Sequence, residues 1–235
     1  MLIVSVIVTY IFVSWAQNAM PADDVALQAL ISDEQVIVTE ESGLITFAPV
    51  NVEYDMGLVF YPGGRVDYRA YAPVLRRIAE RGYFVALVLV PLNLAFFNTN
   101  AADQVMELYP NISRWVVGGH SLGGVTAASY AGGHLEDIDG LVFWAAYPAN
   151  DSLKDTNVKA ITIYGANDME GDAQINISES RLPATASFVI IQGGNHAQFG
   201  SYGPQPGDRP ATITAEEQWA QAAEITVQFL ESLNK

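Results

Sequence analysis

The apolar residues of this chain fall into short, nearly uninterrupted runs, separated by segments with helical spacing. A run that is apolar throughout is typical of a strand that buries both faces, as the strands of a parallel sheet do. Such runs predict strands over 36–39, 44–48, 57–61, 84–90, 140–145, 160–164 and 188–191, with one more through Val116 and Val117. Helices are predicted over 71–81, 101–108, 125–131 and 215–233. This alternation indicates the α/β class, as a three-layer α/β/α sandwich with a mostly parallel sheet.

Composition limits the partners of the protein. The chain has 235 residues, half of them hydrophobic, which is enough for one sizeable core. Its formal net charge of −15 argues against nucleic acid and anionic lipid, so we expect a small neutral substrate. It has no cysteine, which excludes disulfides and thiolate ligands, and its three histidines are far apart in sequence. We therefore expect neither a metal nor a cofactor.

The first 20 residues form a separate apolar segment. Residues 2–16 carry no charge, and the first basic residue of the chain is Arg65. This run is shorter than the roughly 20 residues that cross a bilayer, but it matches the apolar region of a signal peptide in length. We predict a signal or membrane-anchor segment at 1–20 and a catalytic domain at 21–235, exported or anchored with that domain outside the cytoplasm. The alternative is a buried helix or strand of a cytoplasmic domain.

The motif Gly119-His-Ser-Leu-Gly123 lies between the strand at Val116 and Val117 and the predicted helix 125–131. This pattern is typical of a nucleophile elbow, a sharp turn from strand to helix that exposes a serine. The residues two before and two after the serine nearly touch in such a turn, so glycine is needed at both places. Ser121 is therefore the candidate nucleophile.

A serine nucleophile needs a base, and the chain offers three histidines. His120 adjoins Ser121 and leaves the turn in another direction, while His134 lies at the predicted end of the elbow helix, where surface or capping histidines are common. His196 follows the apolar run 188–191 on a loop. We predict that His196 is the base; an ordinary structural histidine is the alternative.

The third member of a triad should be a carboxylate between Ser121 and His196, because triads built on this elbow run in the order Ser, Asp or Glu, His. Asp168 comes three residues after Gly165, at the end of the predicted strand 160–164. Glu170 and Asp172 are competitors on the same loop. We favour Asp168, because an orienting carboxylate should sit in the first turn after its strand.

Four stretches of the chain resemble the α/β-hydrolase superfamily. They are 61–67 (YPGGRVD), 91–97 (PLNLAFF), 118–124 (GGHSLGG) and 193–203 (GGNHAQFGSYG). The likeness is to a short bacterial branch without a lid domain, related to dienelactone hydrolases, and it extends from about Val36 to the C-terminus. Dienelactone hydrolases proper use a cysteine where this chain has Ser121. The resemblance therefore implies an α/β-hydrolase fold and an esterase-type reaction, and not a lactone substrate.

The resemblance also implies an oxyanion hole. One donor should be the backbone N–H of Leu122, and the second should come from the loop after the third strand, where Gly64 is favoured over Arg65. A tight glycine turn at Gly63 and Gly64 without this function is the alternative. Arg65 could instead bind a substrate carboxylate or pair with Asp67.

Aromatic residues at predicted strand ends could line an acyl or aromatic pocket, or could equally belong to the core. They are Phe96, Phe97, Trp144, Tyr147 and Phe199. The candidate substrate-binding residues are Phe96, Trp144, Phe199 and Arg65. We predict a serine esterase with an open site. Thioester cleavage, acyl transfer, perhydrolysis and a non-catalytic binding module are the alternatives.

Overall fold

The computed structural model describes residues 2–41, 43–169 and 171–234. Strands run over β1 (Val36–Glu41), β2 (Leu44–Pro49), β3 (Met56–Tyr61), β4 (Phe84–Val88), β5 (Arg114–His120), β6 (Gly140–Trp144), β7 (Lys159–Gly165) and β8 (Ser187–Ile191). Helices run over α1 (Leu2–Gln17), α2 (Asp24–Gln28), α3 (Ala72–Glu80), α4 (Ala101–Leu108), α5 (Leu122–Ala131), α6 (Gly171–Arg181) and α7 (Ala215–Ser232).

Within the described residues these strands form one sheet of eight, in the order β1-β2-β4-β3-β5-β6-β7-β8. The β1–β2 and β2–β4 pairs are antiparallel, and every later pair is parallel. No separate lid domain is formed by the part of the chain that the structure describes. The predicted α/β/α class with a mostly parallel sheet is therefore confirmed.

Apolar residues are buried on both faces of the sheet. Along β5, Val116 belongs to the core under α3 and α7, and Val117 belongs to the core under α4 and α5. Because successive side chains of a strand point to opposite faces, a strand covered on both sides is apolar at most of its positions. This is why the continuous runs in the sequence predict the strands well.

The structure differs from the sequence predictions in at least three elements, one of which is the short helix α2, which the sequence does not predict. Strand β4 ends at Val88, not at residue 90, because the chain then enters a 3₁₀ turn at Pro91–Asn93 in which Leu92 and Asn93 have positive φ angles. Helix α6 was not predicted, because its sequence GDAQINISESR has no apolar periodicity.

The N-terminal segment is a helix, α1, that projects from the domain. Residues 4–12 are all exposed, whereas Ala16 is completely buried. From there the chain runs along the domain, and Met20 forms a parallel bridge with Val66. Among the described residues, no helix has the length and apolar character needed to cross a lipid bilayer.

Candidate active site

Ser121 lies at a sharp turn between β5 and α5, with φ 51° and ψ −120°. Such a backbone conformation is strained for a residue other than glycine, and strain of this kind is concentrated at functional sites. The turn brings main chains into contact: a Cβ on Gly123 would lie 2.1 Å from the Tyr61 carbonyl oxygen, and one on Gly119 would lie 2.4 Å from the Gly123 carbonyl carbon. Ser121 therefore occupies the elbow geometry that the motif predicts.

Asp168 and His196 lie on the loops that follow the neighbouring strands β7 and β8. The Nδ1 atom of His196 is 3.1 Å from Asp168 Oδ2 and 3.3 Å from Oδ1. Both residues are buried, with 0% of Asp168 and 4% of His196 exposed. A buried carboxylate on Nδ1 fixes the ring orientation and leaves Nε2 to accept a proton, as the base of a triad must.

The two loops touch through their main chains. A Cβ on Gly165 would lie 2.4 Å from the Gly194 carbonyl carbon, and the Asn167 amide donates to the Gly194 carbonyl at 2.8 Å. Among the competing acids, Glu170 and the side chain of Asp172 lie outside the described part of the structure. Asp168 is therefore the carboxylate that the structure brings to His196.

Sequence reasoning missed the residue that holds the His196 loop, which is Gln218 of α7. Its Oε1 accepts from the Asn195 amide at 3.0 Å, its Nε2 donates to the Asn195 carbonyl at 2.7 Å, and the side chain is completely buried. Asp208 adds an acceptor for the Ala197 amide at 2.8 Å. A polar residue on the buried side of a helix was the only signal available in the sequence.

His120 packs beside His196, with 4.6 Å between the ring centroids. Because Ser121 follows His120 directly, this contact puts Ser121 and His196 at the same edge of the sheet. His134, by contrast, lies at the end of α5, where its Nδ1 is 2.8 Å from the Tyr130 carbonyl oxygen.

Tyr71 connects His120 to the turn after β3. The Gly63 amide donates to the Tyr71 hydroxyl oxygen at 2.9 Å, and that hydroxyl is 2.8 Å from His120 Nδ1. Because the Tyr71 oxygen already accepts from Gly63, we assign the hydroxyl proton to the contact with Nδ1, which then accepts it. Burial lowers the pKa of His120 well below its usual range, and the neighbouring His196 lowers it further. His120 is thus a neutral structural residue.

The turn Gly63-Gly64-Arg65 has three main-chain N–H groups. The Gly63 amide donates to Tyr71 and the Arg65 amide donates to the Asn93 carbonyl at 2.8 Å, whereas the Gly64 amide donates to no residue that the structure describes. Gly64 also abuts Leu122, since a Cβ there would lie 2.8 Å from Leu122 Cδ2. The geometry therefore favours Gly64 over Arg65 as the partner of Leu122.

The Arg65 side chain does not pair with Asp67, contrary to one expectation. Its Nε donates to the Trp15 carbonyl at 3.0 Å, its Nη2 donates to the Asn18 carbonyl at 2.8 Å, and its guanidinium lies 4.6 Å from the centroid of the Trp15 ring. Asp67 pairs with Arg69. Arg65 therefore binds the end of α1, because the last carbonyls of a helix lack partners within the helix and attract cations.

The candidate pocket residues divide into two groups. Trp144 and Phe199 are completely buried, and Trp144 Nε1 donates to the Thr226 hydroxyl at 3.2 Å. Both residues therefore lie in the core, which was the alternative to a place in a substrate pocket. Phe96 and Phe97 are exposed, at 50% and 47%. Tyr147 is half-buried. Of the aromatic candidates, the Phe96 and Phe97 pair remains accessible to a substrate.

Comparisons with known proteins agree with this fold. The model of the alpha/beta hydrolase family matches residues 57–220. A predicted CIB-like hydrolase from Thermoplasma acidophilum is 15% identical, with a TM-score of 0.61, over 84% of this chain and 99% of that one. A dienelactone hydrolase from Anabaena variabilis is 16% identical, with a TM-score of 0.61, over 85% and 97%. The esterase domain of a Rhodothermus marinus protein is 13% identical, with a TM-score of 0.62, over 83% and 96%.

At these identities the structural matches establish the fold alone. A comparison with curated protein sequences finds no match. The family model covers more than half of the chain, so the protein belongs to the alpha/beta hydrolase family.

Proposed function

We propose that this protein is a serine hydrolase that cleaves carboxylic esters through Ser121, His196 and Asp168. The observation that carries the proposal is the buried contact of 3.1 Å between His196 Nδ1 and Asp168, at the edge of the sheet where the elbow presents Ser121. Family membership supports a hydrolase. The esterase domain from Rhodothermus marinus supports ester chemistry by analogy.

In the proposed reaction, Ser121 Oγ attacks the ester carbonyl carbon while His196 Nε2 accepts the hydroxyl proton. Asp168 stabilises the resulting imidazolium through Nδ1–H. The tetrahedral intermediate collapses, the alcohol leaves with the proton from His196, and Ser121 keeps the acyl group. Water then attacks the acyl-enzyme with the same proton transfers, which releases the acid and restores Ser121.

The negative oxygen of each tetrahedral intermediate would accept hydrogen bonds from the main-chain N–H groups of Leu122 and Gly64. A single donor of this kind is worth about 3 to 4 kcal/mol in transition-state stabilisation. Leu122 follows the nucleophile at the start of α5, so the positive end of the helix dipole adds to the field at this point.

The test is labelling by a fluorophosphonate, which reacts with activated serines. We expect the wild type to be labelled, and Ser121→Ala to lose labelling and to lose ester hydrolysis by a factor on the order of 10⁴ to 10⁶. Ser129→Ala is the matched control, because Ser129 is exposed on the same helix, where its hydroxyl donates to the Val125 carbonyl. Labelling that survives in Ser121→Ala would assign the nucleophile to another residue.

A panel of p-nitrophenyl esters of increasing acyl length, with a matched amide and thioester, defines the substrate class. We expect the ester to be hydrolysed faster than the amide at equal acyl length. Faster turnover of the thioester than of the ester would indicate a thioesterase. If none of the three substrates is hydrolysed, a non-catalytic binding module is favoured.

We further propose that the protein is exported or membrane-anchored, with the catalytic domain outside the cytoplasm. The exposed apolar surface of α1 and the absence of cysteine from the sequence support this location. Membrane-fraction analysis of cells that express the full chain tests it, and recovery of all the protein in the cytosol would contradict it.

A further inference from the structure

We propose that α1 seats the protein on a bilayer of zwitterionic lipid with the Ser121 edge of the domain turned toward the membrane, so that lipid-soluble esters reach the site from the bilayer. This inference rests on the proposed esterase activity for its substrate, but its membrane docking can be measured separately.

The surface of α1 identifies lipid as the occupant. Val6 is 62% exposed, Ile11 is 60% exposed and Phe12 is 38% exposed. At about 100° per residue these three side chains point to three different sides of the helix, which carries no charged residue. A helix that is apolar on every side has no face suited to water. A groove on a protein partner would cover one side of α1, whereas lipid covers all of them.

The end of α1 is attached to the turns that border the site, which gives the helix a defined orientation. Arg65 donates to the carbonyls of Trp15 and Asn18, and the Asn93 side chain donates to the Ala16 carbonyl at 3.3 Å. Arg65 directly follows Gly64, the candidate oxyanion donor. A bilayer that receives α1 therefore lies next to the turn that faces Ser121.

The apolar surface continues from α1 toward Ser121. The ring of Phe12 meets the ring of Phe97 at 6.4 Å between centroids, and Phe96 and Phe97 are half-exposed. Their 3₁₀ turn, Ala95–Asn98, packs against α5, which begins directly after Ser121. An ester leaving the bilayer thus meets an aromatic surface before it meets the nucleophile.

Charge decides which lipid is favoured. The chain has a formal net charge of −15, and no Lys or Arg precedes Arg65. The Arg65 guanidinium itself donates to the carbonyls of Trp15 and Asn18, at and just beyond the end of α1. Because a bilayer with anionic headgroups would repel this domain, we expect binding through the apolar surface of α1 to be strongest on zwitterionic lipid.

The experiment is flotation of the full-length protein, exchanged from detergent, with phosphatidylcholine vesicles. We expect the wild type to float at low and high salt, and to float less when phosphatidylserine is added. The double variant Ile7→Glu with Ile11→Glu should lose binding by about 100-fold or more, because a charged residue in an apolar helix opposes insertion. The matched control is Ile37→Glu with Val52→Glu, two exposed apolar residues outside α1, at 51% and 50% exposure, and it should float like the wild type.

Two esters separate docking from chemistry. Hydrolysis of soluble p-nitrophenyl acetate should stay within about two-fold of wild type in both double variants, whereas hydrolysis of p-nitrophenyl palmitate held in vesicles should fall by about 10-fold or more only in the α1 variant. Wild type that remains in solution with vesicles would overturn the proposal, as would an α1 variant that still floats. If the wild type forms a stable dimer and does not float, and if the α1 variant is monomeric, α1 binds a second copy of the chain. That result would also overturn the proposal. Flotation without hydrolysis of either ester would support the docking and contradict the esterase.

Discussion

The two halves of the candidate site are held in place in different ways. The nucleophile half, at Ser121, depends on main chains in direct contact, since Gly123 leaves no room for a Cβ beside the Tyr61 carbonyl. The acid–base half also has a close glycine contact at Gly165, but its histidine loop is held by side chains from distant positions, Gln218 and Asp208. Contact between main chains requires glycine and so leaves a local motif in the sequence. Support from side chains elsewhere in the chain leaves no such motif.

Among the variants that test this comparison of the two halves, the largest effect is expected in the acid–base half. Asp168→Asn should reduce kcat/KM by about 10⁴-fold, because the amide no longer favours the tautomer and the cation that the reaction needs. Asp208→Asn is the control, since it neutralises an acid that contacts the same loop through a main-chain amide and not through the His196 ring. Steady-state kinetics on a soluble ester measures both variants. Equal losses would mean that the variants test the fold of the loop and not the carboxylate.

The nucleophile half should be the more sensitive in folding. Gly123→Ala places a methyl group 2.1 Å from a carbonyl oxygen, so we expect the free energy of unfolding to fall by at least about 3 kcal/mol. Gly133→Ala, whose new methyl group would meet no atom closer than 3.8 Å, should change it by less than about 0.5 kcal/mol. Urea denaturation compares the two. If Gly123→Ala unfolds with the same free energy as the wild type, the main chains at the elbow can move apart to admit a methyl group.

Tyr71 connects His120, which packs beside His196, to the turn that carries Gly64, and we assign it a positioning role. Tyr71→Phe keeps the ring but removes the hydroxyl, so kcat should fall by about 10-fold with little change in KM, because the turn that carries Gly64 loses an anchor. Tyr68→Phe is the matched control, since that hydroxyl donates to Glu40 on the surface. A rise in KM alone, or an equal loss in Tyr68→Phe, would contradict this role.

The smallest expected effect is a pH dependence of stability that arises from His120. Its folded-state pKa lies below the unfolded value of about 6.5, so below that pH the unfolded chain binds a proton that the folded chain does not. Stability should therefore fall with acidification, by up to about 1.4 kcal/mol per pH unit from this group.

Replacing His120 by Asn, whose amide oxygen can accept the Tyr71 proton at the place of Nδ1, should make the loss between about pH 6.5 and 5 shallower. His134→Asn is the control at the end of α5. Urea denaturation at a series of pH values measures the slope for each variant. An unchanged slope in His120→Asn would show that other groups account for the acid sensitivity.

Much of the fold could be predicted from local pattern. Strands such as β5 are apolar on both faces because both faces are covered. Helix α7 is preceded by its N-cap Thr214, which forms a complete capping box with Glu217. Helix α6 has no apolar periodicity, so its place depends on contacts such as that between the hydroxyls of Tyr164 and Ser178. That contact cannot be deduced from spacing.

The sequence by itself determined the elbow at Ser121, because glycine at Gly119 and Gly123 is what a close approach of main chains requires. The sequence also predicted His196 and Asp168 as the base and the acid, because each follows an apolar strand. Only the tertiary structure decided that Arg65 binds the end of α1, and that Trp144 and Phe199 lie in the core. An arginine or an aromatic ring is compatible with several partners, and the partner it contacts depends on which distant segment the fold brings beside it.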